Sequence, residues 1–336
     1  MNIQLAASLK SHNTFGINVT GNLAVFQSAE EIPTLLEKTT NSPSLILGGG
    51  SNLLFTQDPQ GWIWKNEIKG IEIIEETNEH IIVRSGAGEG WHRLVIHCIR
   101  NNWGGLENLS LIPGKVGASP MQNIGAYGVE VKDVFESLQA IRLSDGELVT
   151  FDKTSCTFGY RESIFKRKLK DQYIIVSVSF RLTKKDHKIK TDYGDIQKEL
   201  EKLSIQNPTI QDVSNAIISI RSSKLPDPAE LGNAGSFFKN PVVSTSLADS
   251  LQEKFPELVQ YPAGDSAVKL AAGWLIEKAG WKGFRRNDAG VHEKQALVLV
   301  NYGEATGQEI WQLSEDILLD VQAKFGVTLE REVNII

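Results

Sequence analysis

Three consecutive glycines end the apolar stretch in LILGGGSNLLF, residues 45–55. Lacking Cβ atoms, Gly48, Gly49 and Gly50, with Ser51, Asn52 and Leu53 after them, can turn several backbone N–H groups toward one anion, which is how a phosphate is cradled without a cationic side chain. A tight turn is the plainer use of such a run. It is neither a GxGxxG fingerprint, because Leu53 stands at the third glycine position, nor a Walker loop, because no Lys-Ser/Thr follows. A second segment, LIPGKVGASPMQNIGAYG at 111–128, has four glycines and two prolines and no helical or strand period. It reads as a long ordered loop, and its Leu111, Ile112, Val116, Met121, Ile124 and Tyr127 argue against a purely solvated connection. FGYRES (158–163), DYGDI (192–196) and GNAGSFFKNP (232–241) are further candidates. Ser236 follows a glycine that lets its hydroxyl approach a ligand, yet it has neither a GxSxG elbow nor an adjacent histidine, so acyl transfer is a poor reading.

Composition narrows the partners. A chain of 336 residues with 41% hydrophobic side chains can bury one large core or several smaller ones. Net charge is −6, from 41 acids and 35 bases without a polybasic block, so neither nucleic acid nor an anionic membrane is an expected partner. Cys98 and Cys156 are the two cysteines, and they allow neither a disulfide framework nor a CxxC metal site. The six histidines form no HxxxH or HExxH pair, so no metal is expected. The first residues carry no secretory pattern and the apolar runs are strand length, which predicts a soluble cytoplasmic protein.

The elements that position these motifs follow from periodicity. Ser28 and Glu31 predict a capping box ahead of a short helix bearing Ile32, Leu35 and Leu36. Short strands are expected at 44–47, 62–65, 71–74 and 81–84. Trp91, Leu94, Val95, Cys98 and Ile99 form one helical stripe over 91–101, which places Cys98 in the core. Residues 138–151 alternate about Asp145-Gly146, a hairpin signal, and 173–182 reads as a strand. The period changes to helical from Asp212, with Pro226 beyond its end, and a domain boundary is placed just before it. Later expectations are a helix at 267–278, a strand at 296–300, a helix over 307–325 capped by Thr306, Glu309 and Gly326, and a final strand over 327–336. That strand buries Val327, Leu329, Val333 and Ile335 and turns Thr328, Glu330, Glu332 and Asn334 outward, with Arg331 interrupting the apolar face.

LGGGSNLLF, GGLENLSLIPGKVGASPMQNIGAYGVE, FGYRESIFK, SSKLPDP, GNAGSFFKNP, YPAGDSAVKLAAGWLIEKAG and LEREV, in this order over nearly the whole chain, resemble the UDP-N-acetylenolpyruvoylglucosamine reductases. The Tyr193-Gly194-Asp195 loop is similar to that of their type I branch. The resemblance implies an α+β fold, with a two-part FAD-binding domain of the vanillyl-alcohol-oxidase (PCMH) type and an α+β substrate-binding domain. The corresponding division is 1–68 and 69–211 for FAD, 212–326 for substrate, and 327–336 as a strand returning to the active site. It implies that Gly48, Gly49, Gly50, Ser51 and Asn52 hold the cofactor diphosphate, with Leu53 also cofactor-binding. Ser119, Pro120, Gln122, Asn123, Gly125, Ala126, Tyr127 and Tyr160 would grip the flavin ring. Arg161, Ser236 and Glu332 would be catalytic, and Tyr193, Lys224, Asn240, Tyr261, Lys269 and Gln295 would bind substrate. The family often has proline where Arg331 stands and a basic residue where Asn334 stands.

The implied reaction is NADPH-dependent, FAD-mediated reduction of the enolpyruvyl ether of UDP-N-acetylglucosamine enolpyruvate, carried out by a monomer. Arg161 would hold the substrate carboxylate and Ser236 would supply a proton. Two rivals are an oxidase of the same fold and a UDP-sugar sensor without turnover. The oxidase leaves GNAGSFFKNP without a role and lacks a tethering His or Cys in the glycine run, while the sensor leaves Arg161, Ser236 and Glu332 unexplained. The purified protein is expected to be yellow, with noncovalent FAD that acid or heat releases. Colourless protein that FAD cannot reconstitute overturns this expectation.

Overall fold

The computed structural model describes residues 1–39, 43–264 and 266–336. They form two compact units, one of residues 1–7, 21–49 and 60–223, the other of residues 8–20, 50–59 and 224–336. Seven helices are described: α1 (Glu31–Lys38), α2 (Trp91–Arg100), α3 (Ile196–Lys202), α4 (Ile210–Lys224), α5 (Thr245–Lys254), α6 (Ala272–Lys278) and α7 (Gly307–Phe325).

The first unit holds two sheets. One has the order Asn2–Ser8, Thr20–Phe26, Trp62–Asn66, Leu45–Leu47, with parallel pairing among the last three strands. The other is antiparallel, in the order Leu148–Asp152, Phe135–Arg142, Tyr173–Thr183, His80–Gly86, Ile71–Glu76. Its long strand serves two cores because of one irregularity. Gln139 pairs with Ser177 but Ala140 pairs with Ile175, so Val176 is an extra residue and the side-chain parity reverses there. Ile174 and Val176 pack with Phe26, Ile32, Leu35 and Trp64, whereas Val178, Phe180 and Leu182 pack with the α2 stripe of Trp91, Leu94, Val95, Cys98 and Ile99. The hairpin forms as the alternation predicts, with Gly146 at φ +75°. Val213, Ala216, Ile217 and Ile220 of α4 join Ile196 and Leu200 of α3 in a third cluster. The pattern-based boundary and the edge between compact units therefore fall on opposite sides of α4.

In the second unit Gly232–Ser236, Val298–Asn301, Ala289–Val291 and Arg285–Arg286 form one sheet, and Val242–Ser244, Ala267–Leu270 and Gln260–Pro262 another. α7 buries Ile310, Leu313, Ile317, Val321 and Phe325 and has the expected ends: Thr306 and Glu309 exchange capping bonds, and Gly326 stands at φ +67°. Its first residue must be glycine, since a Cβ there would lie 1.6 Å from the carbonyl oxygen of Phe55.

Three expectations are corrected. Glu30, not Ser28, stands at the N-cap of α1, because the Glu31 carboxylate instead accepts from the Gln27 N–H (2.9 Å) and the Met1 ammonium (2.7 Å). Residues 267–278 are a strand followed by a helix; Ala267–Leu270 finds strand partners on both sides before α6 starts. The last ten residues are not one ladder. Arg331 bridges Phe238, the chain bends at Val333, and Asn334–Ile335 pairs in parallel with Leu53–Leu54. Val327, Leu329 and Val333 are buried as the alternation requires, but Ile335 is 37% exposed.

Burial pushes the thiols of Cys98 and Cys156 up to about 12, with Asp152 adding to the effect at Cys156. Both should therefore stay protonated near neutrality and resist thiol reagents. Because their folded values exceed the ordinary 9.0, the linked stability is full below pH 9 and declines as pH rises from there toward 12. At pH 8 a colorimetric thiol reagent should find no reactive cysteine in the native protein and both after denaturation. Rapid labelling of the native fold would contradict the burial.

Candidate active site

In the first unit the glycine run and the long loop meet directly. A Cβ on Gly49 would lie 2.9 Å from Gly114 Cα, so the two backbones pack without room for a side chain. A Cβ on Gly48 would stand 3.4 Å from Lys115 Cβ. The Lys115 ammonium is 3.5 Å from Glu67, which also pairs with Lys69 at 2.9 Å and Lys65 at 3.4 Å. Burial, with Lys69 nearby, lowers the Lys115 pKa. Three ammonium groups around one carboxylate leave positive charge beside the glycines. Sequence reasoning passed over Lys115, although a lysine inside a glycine-rich loop was the available signal.

The loop itself is strained where it is pinned. Leu111, Asn123, Tyr127 and Arg161 all have positive φ, at 58°, 43°, 49° and 54°, and such residues cost about 1–3 kcal/mol each unless the surroundings impose them. Asn123 is fully buried; its amide donates to Gly159 O (3.0 Å) and Glu130 Oε2 (3.1 Å), and its oxygen accepts from the Lys132 N–H. That side chain is occupied in shaping the loop. Ser119 differs, being 1% exposed with an Oγ that has no hydrogen-bond partner. Arg161 donates from Nη2 to Gly125 O at 2.7 Å and lies 5.5 Å from the centre of the Tyr160 ring. Tyr127 meets Tyr193 edge-on at 6.4 Å, and Asn108 links Tyr127 O to Lys190 O just ahead of the Tyr193-Gly194-Asp195 turn.

In the second unit the segment that holds Glu332 runs beside the residues that follow Ser236, where Arg331 and Phe238 form an isolated antiparallel bridge. Glu332 N–H donates to Phe237 O at 2.8 Å and Lys239 N–H to Glu330 O at 2.8 Å. Gly235, at φ +70°, has open space where a Cβ would be, and its N–H is held by Asn233 Oδ1 at 2.9 Å. On its other side the Glu332 segment is tied to the glycine run. Asn52 Nδ2 donates to Glu332 O (3.3 Å), and Asn52 O accepts from both Asn334 N (3.1 Å) and Asn334 Nδ2 (2.9 Å). Arg331 anchors the segment to α7 through Ser314 Oγ (2.8 Å) and Glu315 (2.7 Å). Of the expected substrate residues, Asn240 and Gln295 each approach the start of α6: Asn240 Oδ1 accepts from Ala272 N–H, and Gln295 Oε1 lies 3.1 Å from a Cβ built on Gly273. Tyr261 and Lys269 face each other across paired strands, with Lys269 Nζ 5.9 Å from the ring centre. Lys224 ends α4.

Residues 227–336 match the family model described as the UDP-N-acetylenolpyruvoylglucosamine reductase C-terminal domain, and residues 22–152 match the FAD binding domain. The chain is 54% identical over 337 residues to the UDP-N-acetylenolpyruvoylglucosamine reductase of Flavobacterium johnsoniae, with 100% of each chain covered. It belongs to the UDP-N-acetylenolpyruvoylglucosamine reductase family. To the Pseudomonas aeruginosa reductase it is 48% identical, covering 100% of this chain and 99% of that one. The crystal structure of the reductase from Thermus caldophilus has the same fold, with TM-score 0.68, 23% identity and 100% and 99% coverage.

This reductase is thus a flavoprotein oxidoreductase of peptidoglycan synthesis, built from the expected two-part FAD-binding domain and an α+β substrate domain. The buried, unpartnered Ser119 oxygen and the lysine-flanked glycines fit an FAD with its diphosphate and polar ring edge. Among the described residues no helix is long and apolar enough to cross a membrane, and no three His, Cys, Asp or Glu side chains cluster as metal ligands.

Arg331 holds the segment by side-chain bonds to Ser314 and Glu315. Arg331→Ala should lower stability by about 1–2 kcal/mol, the scale of a partly exposed charged hydrogen-bond pair, and speed hydrogen exchange at the Glu332 N–H. Unchanged exchange there would show that backbone pairing alone positions Glu332.

Proposed function

We propose that this reductase moves a hydride from NADPH to the enolpyruvyl ether of UDP-N-acetylglucosamine enolpyruvate, forming UDP-N-acetylmuramate. Bound FAD, which the glycine run at 48–50 and the loop at 111–128 would hold, would supply the hydride chemistry between NADPH and the vinyl ether. The reading gives residues 1–68 and 69–211 to the cofactor, 212–326 to the substrate and 327–336 to the active site, in a cytoplasmic enzyme. Two buried, unpaired cysteines accord with a reducing compartment.

Each chain residue has a task set by charge. Hydride arrival at the vinyl terminus pushes negative charge onto the ether-bearing carbon and its carboxylate. Arg161 binds that carboxylate, so its attraction strengthens as the charge develops. The bond from Nη2 to Gly125 O fixes the plane of the guanidinium in advance. Ser236 donates the proton to the ether-bearing carbon. Glu332 hydrogen-bonds the reacting end of the substrate, and Tyr193, Lys224, Asn240, Tyr261, Lys269 and Gln295 hold the nucleotide sugar. The observation that supports this reading is the hydrogen bond from Glu332 N–H to Phe237 O, the residue that follows Ser236.

The two half-reactions separate the roles. Ser236→Ala should reduce its flavin with NADPH at close to the normal rate and reoxidise it about 10²-fold or more slowly with the enolpyruvyl substrate. Ser236→Cys should recover part of that loss. Stopped-flow absorbance of the flavin band follows each step, and equal slowing of both by Ser236→Ala would remove Ser236 as proton donor.

A further inference from the structure

The dipeptide Tyr-Gly occurs in two motifs of the first unit, at 127–128 in the long loop and at 193–194 in DYGDI. Both glycines are left-handed, Gly128 at φ +76° and Gly194 at φ +66°, and each takes up the other motif's tyrosine. A Cβ on Gly128 would lie 3.4 Å from Tyr193 Cβ, and one on Gly194 would lie 3.8 Å from Tyr127 Cδ1. The rings themselves meet at 88° with their centres 6.4 Å apart. The two motifs therefore interlock, tyrosine over glycine in both directions, although they are far apart in the sequence.

The tip of the DYGDI turn faces solvent: residues 192–194 are exposed, Tyr193 at 44%. Its order comes from its two ends. Ile196 and Leu200 of α3, which begins directly after the turn, are buried in the cluster against which Tyr127 packs. At the other end Ile189 packs against the same cluster, and the Lys190 carbonyl accepts from Asn108 Nδ2 at 3.0 Å. The same nitrogen donates to Tyr127 O, also at 3.0 Å. Both partners are carbonyl oxygens, so the amide nitrogen must face them, and both of its protons are used. Asn108 is 1% exposed, which shields these bonds from competing water. Lys190 also faces Asp133 at 3.7 Å, but that pair is exposed and contributes little.

We infer that Asn108 is a positioning residue for the reductase reaction: its one amide holds both Tyr127 on the flavin loop and the turn that carries Tyr193, so that the substrate contact at Tyr193 stays in register with the flavin. The inference rests on the reading of Tyr127 as a flavin residue and Tyr193 as a substrate residue. Tyr127 stands at φ +49°, a strained value that persists where the surroundings impose it, and the bond from Asn108 to its carbonyl is part of that constraint. Because Asn108 reaches the substrate through Tyr193, its loss is felt in substrate binding before it is felt in the chemical steps.

The test uses holoenzyme with FAD bound. Asn108→Ala should raise KM for the enolpyruvyl UDP-sugar on the order of tenfold, the scale of one or two lost hydrogen bonds, and change kcat by less than about threefold. Tyr193→Ala should raise KM similarly, and the double variant should be no worse than Tyr193→Ala, since both changes remove the same contact. Losses that multiply in the double variant, or an unchanged KM in Asn108→Ala, would overturn the inference. A side chain that only supports the fold would not give that non-additivity. Hydrogen exchange reads the docking without turnover. Peptides covering 190–195 should exchange faster in Asn108→Ala while those covering Tyr173–Thr183 keep their rates, and unchanged exchange at 190–195 would also count against Asn108. Asn108→Asp, which keeps the shape but turns an acceptor toward two carbonyls, should raise KM as Asn108→Ala does. Should Asn108→Ala not fold, Asn108→Ser, which keeps one donor, is read by the same measurements. If Tyr193→Ala left KM at its wild-type value, the substrate reading of Tyr193 would fall instead, and the exchange rates would still decide whether Asn108 docks the turn.

Discussion

The carbonyl oxygen of Asn52 accepts two hydrogen bonds from Asn334, and the Asn52 amide donates to Glu332 O. Through these bonds a loop that follows three glycines is fastened to a segment about 280 positions further along the chain. Main-chain bonds carry the constraint onward: Glu332 to Phe237, then Ser236 to Val298 in the sheet that α7 covers. Glu332 is placed by backbone pairing on one side and by Asn52 on the other. Arg331 and Asn334 each hold one end of that segment.

The long loop of the first unit reaches order by a different route. Its backbone is strained at Leu111, Asn123 and Tyr127, and the strain is held by side chains that face inward. Asn123 saturates every polar atom of its amide, and Asn108 and His92 fasten the loop's two ends. One side chain of the loop stands apart from that economy of bonds, the Ser119 hydroxyl, buried and unpartnered. A buried hydroxyl left without a partner in so fully bonded a loop is consistent with a polar occupant.

Where structure follows from local chemistry, it was readable in the sequence. The stripe of α2, the capping box and αL glycine of α7, and the hairpin at Asp145-Gly146 depend on residues a few positions apart. Residues 267–278 misled because Ala267–Leu270 becomes a strand only through partners at 242–244 and 260–262, which no helical period reveals. The alternation in the last ten residues foretold burial at Val327, Leu329 and Val333, but not that the chain would change partners at Val333. The motif residues were found by their neighbours in sequence. Lys115 was passed over although it stands inside a glycine-rich loop, because its gathering with Lys65 and Lys69 around Glu67 exists only in the folded chain.

The second unit is assembled from three separated stretches, and its parallel pair joins Leu53–Leu54 to Asn334–Ile335. On a ribosome the first partner emerges long before the second. For that interval the backbone groups of Leu53 and Leu54 that will pair with the far end have nothing to bind, and two buried leucines lack their cover. Closing so long a span is entropically slow and adds to contact order. The nascent chain therefore carries an open strand edge at Leu53–Leu54 until Asn334 and Ile335 have emerged, a state open to mispairing and proteolysis.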